Sequence, residues 1–384
     1  MRKFLSIVLV LVLAAGLLAG CGTKEAGTIK IGVLGCHTGD AAQYGLAVLN
    51  GVQIYIDKVN ADGGINGKKI EPVIYDDKGD VTEAVNAYNR MADEGITALL
   101  GSVLTDPTLA VVPEANKTNM PMITASATAA EVTYNEGKLY SNVFRTCFID
   151  PFQGEKMAQY AGEILGAKTA AIIYETGNAY SEGLKNAFIA KCQELGIEVI
   201  ADEAYANGDM DFHSQLTNIN AKGADVIFSP NYYENDGLIV TQARQIGITS
   251  IFMGGDGWAG VSGYATAEDL EGSVYCSAYA PGSSDEIKQF EKDYTDKYGS
   301  DTLNMFAPLG YDAAVVLLDA VAAAEKTGKK VGSDEYKAAI IDGMKNTSSV
   351  GITSKYSYDE FNNPIKSAVI IKLEGGEEIF SQMF

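Results

Sequence analysis

Histidine is almost absent from this chain. His37 and His213 are the only two among 384 residues, too few for a histidine-centred catalytic set or a histidine-rich metal site. No GxSxG elbow, GxxxxGK[ST] phosphate loop or HExxH pair is present. Gly63 to Lys69 is rich in glycine and lysine, but its spacing does not make a phosphate loop. His213 opens an expected helix and reads as a solvated surface residue. His37 follows the first expected strand and is the histidine to watch near a ligand. No base and nucleophile pair emerges, so neither an enzyme, a bound cofactor nor a metal is expected.

Basic charge is also scarce. Lys and Arg number 29 against 50 Asp and Glu, a net charge of −21. Nucleic-acid binding asks for a basic face, so that class is excluded; the acidity itself serves solubility. Cysteines are few, and no two form a CxxC pair. Cys36, Cys147, Cys192 and Cys276 are expected as buried apolar residues without disulfides, although an exported chain could pair them. Long apolar runs are limited to the N-terminus, and no second stretch of membrane length is expected. Arg2 and Lys3 precede the run Phe4 to Leu18, which closes on Leu18-Ala19-Gly20-Cys21. That is the layout of a secretory signal peptide. Its end resembles a bacterial lipobox, which implies a mature chain starting at Cys21 with a lipid on that residue. Residues 1–20 are then the signal peptide and 21–27 a tether. The protein is expected outside the cytoplasm, held on a membrane by lipid chains rather than by charge.

After the tether, strand and helix alternate. Ile29 to Leu34 reads as a buried strand, and Gly45 to Asn60 carries apolar residues at helical spacing. Strands at Ile70–Tyr75, Ala98–Leu100 and Pro121–Ile123 alternate with helices at Val81–Asp93 and Pro107–Asn119, the latter kinked at Pro113. A second run has helices at Phe152–Leu165, Ser181–Leu195, Phe212–Ala221 and Leu238–Ile246. Its strands are Ala170–Tyr174, Ile197–Ala201, Val226–Phe228 and Ser250–Met253. A mostly helical block follows (Ser284–Tyr298, Met305–Lys326, Asp334–Met344), then strands near Lys355–Tyr358 and Ala368–Leu373. Two successive βαβ runs predict an α/β protein of two lobes, each a doubly wound, mainly parallel sheet flanked by helices. The late helices have no strands of their own, so the chain is expected to return to the first lobe and then to the second, with three crossings. The expected division is 28–148 and 278–350 for the first lobe, 149–277 and 351–384 for the second.

Open α/β sheets bind ligands beyond the carboxyl ends of their strands. After Leu100 comes Gly101-Ser102-Val103-Leu104-Thr105-Asp106-Pro107. Asp106 or Thr105 can cap a helix whose first position suits Pro107, leaving backbone N–H groups for an anion. After Ile123 comes the hydroxyl-rich Thr124-Ala125-Ser126-Ala127-Thr128. Each loop alone is equally readable as ordinary capping; together they suggest a carboxylate cradle. The second run offers the opposite chemistry: Asn178-Ala179-Tyr180, Asn231-Tyr232-Tyr233 and Gly254-Gly255-Asp256-Gly257-Trp258. Asp256 is either a turn residue or a partner for a cation. Donors on one lobe and a carboxylate on the other fit a zwitterion, an α-amino acid.

The chain resembles the branched-chain (Leu/Ile/Val) amino-acid-binding proteins of ABC transporters, with the type I periplasmic-binding-protein fold. The resemblance rests on Ala42-Gln43-Tyr44-Gly45, Gly63-Gly64-Ile65-Asn66-Gly67-Lys68, Tyr75-Asp76-Asp77, Met122-Ile123-Thr124 with Ala127-Thr128, Tyr180-Ser181-Glu182-Gly183-Leu184 and Phe252-Met253-Gly254. It implies that Thr105 and Thr128 hold the ligand carboxylate and that a Ser126 carbonyl helps hold the ammonium, with Ala127 counted in the same loop. It implies that Tyr180 and Tyr232 meet the ligand on closure and Asp256 pairs with the ammonium. Tyr44, Val103, Leu104 and Phe306 would form the pocket wall. The family carries Glu where Asp256 stands. Trp258 follows and could narrow the pocket, Gly35-Cys36-His37-Thr38-Gly39 could bring His37 close, and a disulfide of some members lacks both its cysteines, at Gly79 and Leu104. The resemblance further implies an amino-acid ligand, a two-part membrane permease as partner and a monomer. A chemoreceptor module, or a binder of small amides or aromatic acids, remains the alternative.

Overall fold

The structure, a computed structural model, describes residues 27–383. The expected leader, the Cys21 anchor and residues 21–26 of the tether lie outside the described residues.

Strand β1 (Thr28–Gly35) is buried at every position from Ile31 to Gly35, as a strand covered on both faces must be. Helix α1 (Ala42–Ala61), β2 (Lys69–Asp76), α2 (Val81–Asp93), β3 (Ala98–Leu100), α3 (Thr105–Lys117) and β4 (Met122–Thr124) follow. Asp80 caps α2, its carboxylate accepting from the N–H groups of Thr82 and Glu83, both at 2.8 Å. A small ribbon of β5 (Tyr134–Asn135) and β6 (Lys138–Leu139) precedes β7 (Val143–Arg145). The first sheet is wholly parallel, ordered β2-β1-β3-β4-β7. Helix α3 runs unbroken through Pro113.

The second run comprises α4 (Asp150–Gln159), β8 (Thr169–Glu175), α5 (Ala179–Leu195), β9 (Glu198–Tyr205), α6 (His213–Lys222), β10 (Val226–Phe228) and α7 (Tyr233–Gln245), then β11 (Ile251–Gly254), α8 (Ala267–Leu270) and β12 (Val274–Ser277). Three helices return to the first lobe: α9 (Asp285–Tyr298), α10 (Phe306–Glu325) and α11 (Asp334–Lys345). Helix α10 lies directly on α1, where Gly51 permits the approach: a Cβ there would stand 2.0 Å from the Ala307 carbonyl oxygen. Contrary to the sequence expectation, α10 is long and apolar enough to cross a membrane, but 78% of that stretch is buried within the protein. It is a core helix of the first lobe.

Strands β13 (Val369–Glu374) and β14 (Glu377–Met383) join the second sheet antiparallel, giving β14-β13-β12-β11-β10-β8-β9. The expected strand at Lys355–Tyr358 is not formed. Only isolated bridges occur there, Val350 with Lys355 and Tyr358 with Pro364. That segment is bonded elsewhere, Tyr356 N–H to the Ser349 carbonyl at 2.8 Å and Tyr356 hydroxyl to Asp312 at 3.0 Å.

Both sheets share one winding. β2-β1-β3-β4-β7 and β9-β8-β10-β11-β12 each begin with the second strand of their run, then the first, then the third. Each has a switch point, between β1 and β3 and between β8 and β10, where such folds place ligands. The chain passes between the sheets three times, at Thr146–Ile149, Ala278–Ser284 and within 346–368. The first and third passages are tied to each other and to α10. Thr146 hydroxyl donates to the Leu309 carbonyl (3.1 Å), and Lys366 Nζ donates to the Thr146 carbonyl (3.1 Å). The Asp312 carboxylate accepts from the N–H groups of Ile352 (2.6 Å) and Thr353 (3.0 Å) and from two hydroxyls.

Candidate functional site

A chamber of about 260 Å3 lies between the two switch points. Nine expected residues line it, Tyr44, Val103, Leu104, Thr105, Ser126, Tyr180, Tyr232, Asp256 and Phe306, together with Gly257. Ala127 and Thr128 are not among the lining residues. Ala127 has its carbonyl engaged by Arg145 Nη1 at 3.0 Å. Thr128 is buried, and its hydroxyl lies beside the Asp150 carboxyl without a hydrogen bond of normal geometry. A larger groove of about 1310 Å3 between α1 and α9 gathers none of these residues.

The chamber lining is part polar and part aromatic. The polar part includes the start of α3. Its capping residue is Leu104, not Asp106 or Thr105, and Thr105 is the first helical residue. Leucine brings no side-chain acceptor to the first turn, so the N–H groups there are not satisfied by a cap. Ser126 is fixed in the facing loop by its hydroxyl, which donates to the Val103 carbonyl at 2.7 Å.

Asp256, just after β11, comes from the other lobe and is 1% exposed. Gln153 of α4 grips it twice: Gln153 Nε2 donates to Asp256 Oδ1 (3.1 Å), and Asp256 N–H donates to Gln153 Oε1 (2.9 Å). Asp256 Oδ2 has no hydrogen-bond partner. Burial pushes its pKa up to about 6, while Gln153 and the nearby Tyr180 hydroxyl restrain the rise. A carboxylate buried with one free oxygen is the arrangement that a cation would relieve.

Four of the lining residues are aromatic. Tyr180 stacks on Tyr232 with ring centres 5.1 Å apart and planes at 15°. Tyr44 meets Phe306 (4.9 Å), Tyr233 (4.7 Å) and Tyr232 (5.8 Å) edge-on. Tyr44 also joins the lobes: its hydroxyl donates to the Gly257 carbonyl and accepts from Tyr233 N–H at 3.0 Å. Tyr180 hydroxyl accepts from Gly257 N–H at 2.7 Å.

Two expected neighbours are elsewhere. Trp258 is fully buried in the second lobe, its indole N–H on the Ser229 carbonyl at 2.8 Å. It lies over Gly254, where a Cβ would meet the ring at 1.8 Å, and so does not narrow the chamber. His37 is not in the lining; its N–H donates to Asp76 Oδ1 at 2.8 Å. Cys36, Cys147, Cys192 and Cys276 are free and buried. Sequence reasoning missed Gln153, Tyr233 and Gly257. Tyr233 and Gly257 adjoin residues that were read. Gln153 sits on a helix after a crossing, and no local pattern marked it.

The fold and chamber define a two-lobed solute-binding protein, and the comparisons agree. Residues 28–377 match the profile described as periplasmic binding protein, and the chain belongs to that family. It is similar to a Leu/Ile/Val-binding protein, BraC3, of Rhizobium johnstonii, 30% identical over 359 residues, covering 92% of this chain and 94% of that one. The solved leucine-binding protein LivK of Thermotoga maritima superposes with a TM-score of 0.84 at 34% identity, over 93% of this chain and 99% of that one. LivJ of Streptococcus pneumoniae, solved with isoleucine, gives 0.84 at 32% identity and the same coverage.

Proposed function

We propose that this protein captures an apolar α-amino acid, most fittingly a branched-chain one, outside the cytoplasm and delivers it to an ABC permease. One observation carries the reading: a buried carboxylate with an unpaired oxygen, Asp256 Oδ2, shares one chamber with hydroxyls, a helix N-terminus and aromatic rings. Asp256 takes the ligand ammonium with the Ser126 carbonyl. Thr105, Thr128 and the first turn of α3 take the carboxylate. The side chain lies toward Tyr44, Val103, Leu104 and Phe306, while Tyr180 and Tyr232 close over it. The names of the relatives, which bind leucine, isoleucine and valine, support the same class.

The two lobes open and close as rigid bodies about the three crossings, the lobes being those expected from the sequence. The chain acts as a monomer tethered through a lipid on Cys21. A thermal-shift screen of residues 22–384 against the twenty amino acids, small amides and aromatic carboxylates tests the reading. Leucine, isoleucine or valine should raise the melting temperature by mass action. A shift only with ligands that lack the α-ammonium would remove the role given to Asp256.

A further inference from the structure

Beyond the ligand chamber lies a second one. It is larger, about 1230 Å3, open to solvent, and also built from both lobes. The two chambers share two residues, Leu104 and Tyr232. Under the function proposed above, on which this inference rests, the ligand side chain is directed toward Leu104 and closed over by Tyr232. The outer chamber is strongly acidic: Asp40, Asp106, Glu175 and Glu234 line it, against the single cation Lys78. Glu175 is 6% exposed, and Asp106 is half-buried on the opposite lobe. The Asp106 charge adds to the upward shift that burial imposes on the Glu175 carboxyl.

The two partition residues differ in support. Tyr232 is held by its stack on Tyr180 and its edge contact with Tyr44. Leu104 leans on open backbone: its Cδ1 is 3.1 Å from where a Cβ at Gly79 would be. The only other atom within 4 Å of that position is Cys36 Cβ, at 3.9 Å. Gly79 itself faces the outer chamber.

We propose that Leu104 is the specificity-determining residue of this site, the wall that stops long side chains and keeps basic amino acids from reaching the acidic outer chamber. A lysine or arginine side chain is longer than leucine and ends in a cation. Blocked by Leu104, its charged end would be trapped among aromatic rings, a costly place for an unpaired ion. With the wall removed, the same charged end would reach Asp106 and Glu175 across the cleft.

Calorimetry on the wild type and Leu104→Ala, with leucine and lysine as probes, tests this. The wild type should bind leucine and reject lysine. Leu104→Ala should bind leucine about tenfold more weakly and gain lysine binding of at least about tenfold, the change expected when one wall contact is exchanged for one ionic contact. Adding Glu175→Gln to Leu104→Ala should remove the lysine gain and spare leucine, since Glu175 lines the outer chamber alone. A folded Leu104→Ala that binds leucine but not lysine overturns the proposal, as does a lysine gain that survives Glu175→Gln. Wild-type protein that already binds lysine as tightly as leucine also overturns it, whether or not the variant folds. Wild-type protein that binds no apolar amino acid but some other ligand would instead overturn the functional reading, and with it the role of Leu104.

Discussion

Two buried aspartates, Asp256 in the chamber and Asp312 at the crossings, carry the same group in opposite circumstances. Both are at most 1% exposed, and burial raises the pKa of each. Asp312 accepts from two backbone N–H groups and two hydroxyls, which hold residues 352–356 against α10. Asp256 accepts from one side chain and leaves Oδ2 unpaired. A buried carboxylate with every lone pair engaged is a structural tie. One held in place by Gln153 yet left incomplete is a receptor for something outside the chain.

The sharpest way to break this comparison is to remove each carboxylate. Asp256→Ala leaves a bound ammonium unpaired in a buried site, so leucine affinity should fall by roughly 3–5 kcal/mol, a factor of about 150 to several thousand. The ligand-free protein should melt at the same temperature as the parent or higher, because a carboxylate with one unsatisfied oxygen is lost. Calorimetric titration and thermal melts read the two effects. A variant that binds as tightly as the parent, or melts well below it, would make Asp256 a structural residue like Asp312.

Asp312→Ala should do the reverse. It strands the buried N–H groups of Ile352 and Thr353, each costing about 1–3 kcal/mol, so roughly 3 kcal/mol of stability should be lost. Leucine affinity should change by no more than about threefold, since the chamber walls are untouched. Denaturant melts and titrations measure both. Lost binding with unchanged stability would collapse the contrast between the two aspartates.

The difference was only half legible in the sequence. Asp256, Tyr180 and Tyr232 follow strands, and in a βα alternation that position alone directs a residue to the ligand edge. Thr105 and Ser126 were found in the same way. Asp312 went unread, although a lone acid in the apolar run Gly310 to Val316 is itself a sign of a buried partner. Gln153 could not be read, because its grip on Asp256 depends on how α4 meets β11 across 103 residues of chain. Lys355 to Tyr358 alternates like a strand, yet its polar groups are claimed by Ser349 and Asp312. The short strands β7 and β12 were missed, having too few residues to show a period. Local pattern therefore gave the strand ends and the residues on them; the pairings that fix those residues are tertiary.

The smallest expected effect is on pH. Asp256 has a pKa of about 6 before ligand arrives, and only its ionised form pairs with an ammonium. As pH falls through 6 the carboxyl must lose its proton on binding, so leucine affinity should drop about fivefold between pH 6 and pH 5 and stay nearly flat from pH 7 to 8. The stability contribution has the opposite sign. A carboxyl whose pKa is raised by folding destabilises the folded state above that pKa, and the penalty is relieved as pH falls from about 6 toward the unfolded carboxyl value. Binding should thus weaken over the same pH range in which this group stops opposing folding. In Asp256→Asn the residual affinity should lose its step near pH 6. For Asp312, whose oxygens are already engaged by the chain, Asp312→Asn should leave that step in place. A step near pH 6 that persists in Asp256→Asn and vanishes in Asp312→Asn would mean that the titrating group belongs to the crossings and not to the ligand chamber.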